Sequence, residues 1–97
     1  MLSTIPIDLS VIDKQNLDME ILRASIIAEL DAINLYEQMA SLTIDGTLKA
    51  TLLEVAKEEK THVGEFQALL LQHDQEQTDE LEHGRQEVFE LEAKQPG

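Results

Sequence analysis

The sequence predicts an all-α chain: an antiparallel hairpin of two long helices followed by a short C-terminal helix, completing a four-helix bundle only by pairing with a second copy. Three observations predict it. Aliphatic residues recur at helical spacing over two long stretches, and only two prolines and four glycines interrupt the 97 residues. The aromatic inventory is Tyr36, Phe66 and Phe89. Good helix formers with few breakers favour helices, and a chain this short has a marginal core without a partner or a metal.

Residues 1–13 contain Pro6 and a few aliphatics without helical period, and they read as an N-terminal arm. The helical domain is expected over residues 14–93, with KQPG at 94–97 as a tail or linker. Its first helix begins between residues 13 and 18 and runs to about Leu42. TIDGT at 43–47 is a turn, because Asp45-Gly46 breaks the helical pattern, and so short a connection makes the neighbours antiparallel. A second helix follows from about Thr47 to Leu71 or His73, then a polar break, QHDQEQ, at 72–77. The third helix, about Thr78 to Ala93, offers only Leu81, Val88, Phe89 and Leu91 for burial.

Twenty acids against seven bases give a net charge of −13. Such a chain repels phosphate backbones, which excludes nucleic acid as a partner. Cysteine is absent, so disulfides, thiolate metal sites and thiol catalysis are excluded too. No stretch approaches a membrane span, and the N-terminus lacks the basic start and long apolar run of a secretory signal. The chain reads as soluble and cytoplasmic.

Candidate chemistry lies where the patterning fails. In LLEVAKEEKTHVGEFQALLL, residues 52–71, the apolar stripe runs through Leu52, Val55, Ala56, Val63, Phe66, Leu69 and Leu70, yet Glu59 and His62 occupy its middle. On the first helix one face carries Leu22, Ile26, Glu29, Ile33, Tyr36 and Ala40, so a second acid shares an aliphatic row. An unpaired carboxylate taken out of water costs several kcal/mol. Nearby bases do not answer for it: Lys57 falls on the far side of its helix from Glu59, Lys60 is turned about 100° away, and Arg23 is almost two turns from Glu29. Protonation or a neutral Glu–His hydrogen bond would satisfy part of the group. A bound cation satisfies three acceptors at once.

A Glu and a His at i and i+3 can reach one ion. Carboxylate oxygens with one imidazole nitrogen per metal suit iron or manganese, and zinc is also compatible. Spacing alone is weak, since thirteen glutamates make a second Glu-x-x-His, Glu80 to His83, unsurprising. That copy sits among Asp79, Glu82 and Gln86 and reads as a solvated face. His73 and His83 are assigned no metal.

One chain supplies half of a di-metal bundle. In ferritin-like bundles two helices each bring a Glu and two others each bring a Glu-x-x-His. Two copies about a two-fold axis would bring together two Glu29 residues and two Glu59–His62 pairs, whose four carboxylates match two divalent ions.

On AELDAINLYEQ at 28–38 and AKEEKTHVGEFQALL at 56–70, the chain resembles the encapsulated ferritin-like proteins, the iron-oxidising cargo of encapsulin nanocompartments. The resemblance spans about residues 18–92. It implies Glu29, Glu59 and His62 as iron ligands, two irons per dimer, and Tyr36 as the tyrosine approaching the metal. It implies Asp31 as part of an acidic access route, where Ala28 replaces a residue often acidic and Leu35 one often tryptophan. It also implies a ring of dimers, commonly a decamer, inside an encapsulin shell reached by a targeting peptide or by fusion. No typical targeting peptide is visible before Gly97, so fusion is the expected route.

The expected function is therefore a ferroxidase, with Glu29, Glu59, His62 and Tyr36 carrying the chemistry. A rubrerythrin-like peroxidase would in its complete form need cysteines that are absent. The alternative from another class is a non-catalytic acidic dimerisation or adaptor module, holding a structural metal or none.

Overall fold

The computed structural model describes Asp8, Ser10 and residues 16–96 of the chain, so most of the expected N-terminal arm and Gly97 lie outside the described residues. Three helices follow one another: α1 (Leu17–Leu42), α2 (Gly46–His73) and α3 (Gln75–Ala93). Among the described residues there is no strand. Helices α1 and α2 pack along each other as the hairpin, and α3 packs against α2 alone, at the elbow between them.

The breaks are shorter than the sequence suggests, for one reason. Asp45 is an N-cap: its side chain accepts from the Leu48 N–H at 3.0 Å, so α2 begins at Gly46 and the glycine is helical. Asp74 repeats the device, accepting from the Gln77 N–H at 2.9 Å and starting α3 at Gln75. A capping carboxylate satisfies a free N–H of the first turn and sits favourably against the helix dipole. The expected six-residue polar break thus contracts to Asp74 alone.

The seam between α1 and α2 is thin. Leu22, Ile33 and Ala40 of α1 and Ala56 and Leu70 of α2 are the buried apolar residues. Leu52, Val55, Val63 and Phe66 are half-buried, while Leu69, from the same expected stripe, is exposed. The four apolar residues of α3 remain exposed within the chain. The radius of gyration, 17.3 Å, exceeds the ~12.5 Å of a compact domain of this length. The molecule is 21 Å across its thin dimension, about two helix diameters. Among the described residues, every apolar side chain therefore lies in the single seam or on a surface.

Candidate metal centre

The hairpin sets the site. Glu29 projects from the middle of α1, and Glu59 and His62 project from one turn of α2 into the same seam. His62 Nδ1 stands 3.4 Å from Glu29 Oε2 and 3.4 Å from Glu59 Oε2. One ligand atom from each residue falls within 4.8 Å of the others. The carboxylates are sheltered, with side chains 20% and 18% exposed, whereas the imidazole is 44% exposed. The cluster thus lies at the edge of the seam, open on the His62 side.

Glu29 Oε2 is the informative atom. It is buried and accepts no hydrogen bond, although the imidazole nitrogen is in ion-pair range. A buried acceptor without a donor is costly and uncommon. The donor set, two carboxylate oxygens and one imidazole nitrogen converging on one point, fits a divalent transition metal. No local base substitutes for it: Arg23 donates to Asp74 at 2.7 Å and Lys60 pairs with Glu37 at 3.2 Å.

Tyr36 lies half-buried on α1, two turns beyond Glu29 and on the same face of the helix. Asp31, half-buried, lies outside the convergent group, being turned about 200° around α1 from Glu29. The second Glu-x-x-His also forms contacts, with His83 Nδ1 3.2 Å from Glu80 and Nε2 3.2 Å from Glu87. All three of those side chains are more than 60% exposed, which suits a solvated surface cluster.

Two tertiary links escape sequence reasoning, Arg23–Asp74 and Lys60–Glu37. Each joins residues far apart in the chain, and no local spacing signals either. The capping role of Asp74 was legible in principle, from an Asp directly before a helix-forming run.

The family profile of the EncFtn-like proteins matches residues 7–90, nearly the whole described helical region. The chain belongs to the EncFtn-like family. A curated relative from Pyrococcus furiosus, a ferritin-like-encapsulin shell fusion protein, is 64% identical over 73 residues, which are 75% of this chain. The matched part is 21% of that relative, so this EncFtn-like chain spans about a fifth of the relative's length. A solved structure, the encapsulated ferritin domain from Pyrococcus furiosus, matches with a TM-score of 0.80 and 50% identity, covering 99% of this chain and 100% of the other. The ferritin-like fold of the EncFtn-like hairpin is thereby established. No helix among the described residues is long and apolar enough to cross a membrane.

Proposed function

We propose that the chain is half of a ferroxidase, completed by a second copy across the face where His62 opens to solvent. The observation that carries this is the convergence of Glu29, Glu59 and His62 around a buried carboxylate oxygen that accepts no hydrogen bond. Fe(II) is the substrate. Glu59 and His62 of each copy hold one iron, His62 through Nδ1, the nitrogen turned toward both carboxylates. Glu29 of the two copies lies between the irons, and the four carboxylates balance two divalent charges. The two Fe(II) ions together would give two electrons to one dioxygen, which with two protons from solvent would leave as hydrogen peroxide, and both irons would become Fe(III).

The protein's part is to hold two irons close together and to offset their charge with sheltered carboxylates. Tyr36 serves by orienting a ligand carboxylate, and Asp31 by drawing cations toward the site. Residues 14–93 form the half-bundle, and residues 94–97 are a tail or linker. The P. furiosus fusion relative suggests that the domain works tethered to an encapsulin shell, delivering Fe(III) to a store in the shell lumen. Rings of such dimers are the expected assembly.

The test is native mass spectrometry during anaerobic titration with Fe(II), followed by oxygen consumption. Two irons per pair of chains, lost in Glu59→Ala, and oxygen uptake that follows iron loading are expected. A dimer that forms without taking up iron stoichiometrically would sink the reading and leave Glu59 and His62 as a polar lock in a non-catalytic module.

A further inference from the structure

The elbow between α2 and α3 is a hinge of one residue. A reversal between two antiparallel helices needs a connection of about two residues or more, and Asp74 alone separates α2 from α3. Its carboxylate keeps the connection this short. One oxygen accepts from the Gln77 N–H at 2.9 Å and holds the first turn of α3. The other accepts from Arg23 at 2.7 Å and ties that turn to α1. A longer bond, from Thr78 Oγ1 to the Leu71 carbonyl at 3.3 Å, completes the elbow.

Packing contributes little to that turn. Residues 72–77, Gln-His-Asp-Gln-Glu-Gln, include no aliphatic side chain, which is why the sequence alone reads them as a break. The stretch thus has two descriptions. One is helical on both sides of Asp74 and depends on its carboxylate. The other is an open loop of six residues, long enough for a reversal, and needs no cap.

An element is available for the loop to redirect. Helix α3 has no buried residue, and Leu81, Val88, Phe89 and Leu91 are exposed on it among seven acids and one base, Arg85. One flank of the hairpin is equally bare and oppositely charged. Ile27 and Leu30 of α1 are 44% and 49% exposed there, beside Arg23 on the same helix and Lys57 and Lys60 on α2. Among the described residues no helix covers this flank, since α3 packs against α2 alone.

The two surfaces match in register. With 72–77 unwound, α3 begins at Thr78 and turns back parallel to α1, its start level with Leu17 at the start of α1. Val88 and Ile27 are then each about 15 Å along, and Leu91 and Leu30 each about 20 Å along, at 1.5 Å per residue. Lys60, counted back from Leu71, stands about 16 Å along, between those two levels.

We infer that Asp74 is a latch: it holds α3 away from the hairpin, and its release lets α3 close onto the basic, apolar flank of its own chain. Release involves the few element-terminal residues that a hinge requires. The closed form joins acid to base and covers Ile27, Leu30, Val88 and Leu91 within one chain. The open form offers α3 and the bare flank to other molecules, and the closed form offers neither. His62 opens on the opposite flank, so the latch works without metal.

The test is a spin-label distance within one chain. Cysteine is absent, so labels are carried by Asn34→Cys and Glu90→Cys, both at exposed positions outside the matched pairs. The doubly labelled chain is diluted into excess unlabelled chain in EDTA, which leaves only intramolecular distances and gives metal no part. The parent should show a single distance longer than about 24 Å, two helix diameters. Asp74→Ala should add a population shorter than that, and Ile27→Glu placed in the same chain should remove it. Circular dichroism follows helix content. Gln75→Gly with Glu76→Gly, which weakens the same turn while keeping Asp74, is a second release and should add the same population. A short distance in neither released chain overturns the inference, as does one that survives Ile27→Glu or one already dominant in the parent. Iron is absent throughout, so the result stands apart from the ferroxidase reading.

Discussion

Arg23 and Asp74, 51 residues apart, meet at 2.7 Å where the hairpin ends and α3 begins. The Asp74 side chain is 14% exposed, and its second oxygen caps α3 at the Gln77 N–H. One carboxylate therefore ties α1 to the elbow and sets the direction in which α3 leaves. Asp74→Ala removes both bonds. Spin labels placed at exposed positions on α1 and α3 should give one narrow distance in the parent chain and a broad distribution in the variant. An unchanged distance would mean that packing of Leu70 and Leu81 alone holds the elbow.

The capping bond from Gln77 lowers the Asp74 pKa below the ordinary aspartate value, and Arg23 adds to the effect. A depressed folded-state pKa stabilises at pH above the unfolded value, and the benefit is lost as pH falls through the folded one. The elbow should thus stay rigid from neutral pH down through the ordinary aspartate range and loosen only below it. In Asp74→Asn, which can still cap, this acid transition should disappear. The same spin-label distances recorded across a pH series check both statements.

At the candidate metal centre, charge and stability should move in opposite directions. Glu29→Gln removes a sheltered charge whose Oε2 accepts no hydrogen bond while keeping its shape, so the metal-free chain should unfold at the same temperature or higher. The same variant should lose stoichiometric Fe(II) uptake. Thermal unfolding in EDTA paired with an anaerobic iron titration separates the two effects. A large drop in metal-free stability would show that Glu29 is held by the protein alone.

Packing in the seam should outweigh surface ion pairs. Leu70 is 5% exposed, and Leu70→Ala should cost about 2–5 kcal/mol. Lys60→Ala breaks a pair whose partners are 59% and 46% exposed, and should cost less than about 1 kcal/mol. Gly64→Ala, with open space around the new methyl group, should stabilise the dissociated hairpin by roughly 0.5–1 kcal/mol. Urea titrations at low protein concentration measure all three.

The helices and the convergent residues were legible because both rest on short-range periodicity. Leu22, Ile33 and Ala40 share a row with Glu29, and Ala56 and Leu70 share one with Glu59, so an acid among them is visible without coordinates. Helix boundaries were legible less well: Asp45 and Asp74 read as breaks when they are caps, since a capping side chain and a turn side chain are the same residue types. Arg23 was weighed against Glu29 and found to serve Asp74, a choice that depends on how the chain turns at residue 74. Exposure of Leu81, Val88, Phe89 and Leu91 was not legible at all. Apolar spacing says that a face should be covered, and not whether the same chain covers it.

Among the described residues, a layer 21 Å deep leaves no interior through which anything could tunnel. His62 is already 44% exposed in a lone chain, so on the proposed function an ion would reach the three candidate ligand atoms by stepping off the surface. On the proposed pairing of copies, any channel would be a gap left between them, with walls drawn from residues that are surface in each copy. Its width would be set by how subunits fit together, and substitutions that widen or close it would look, on a single chain, like neutral changes to solvent-facing positions.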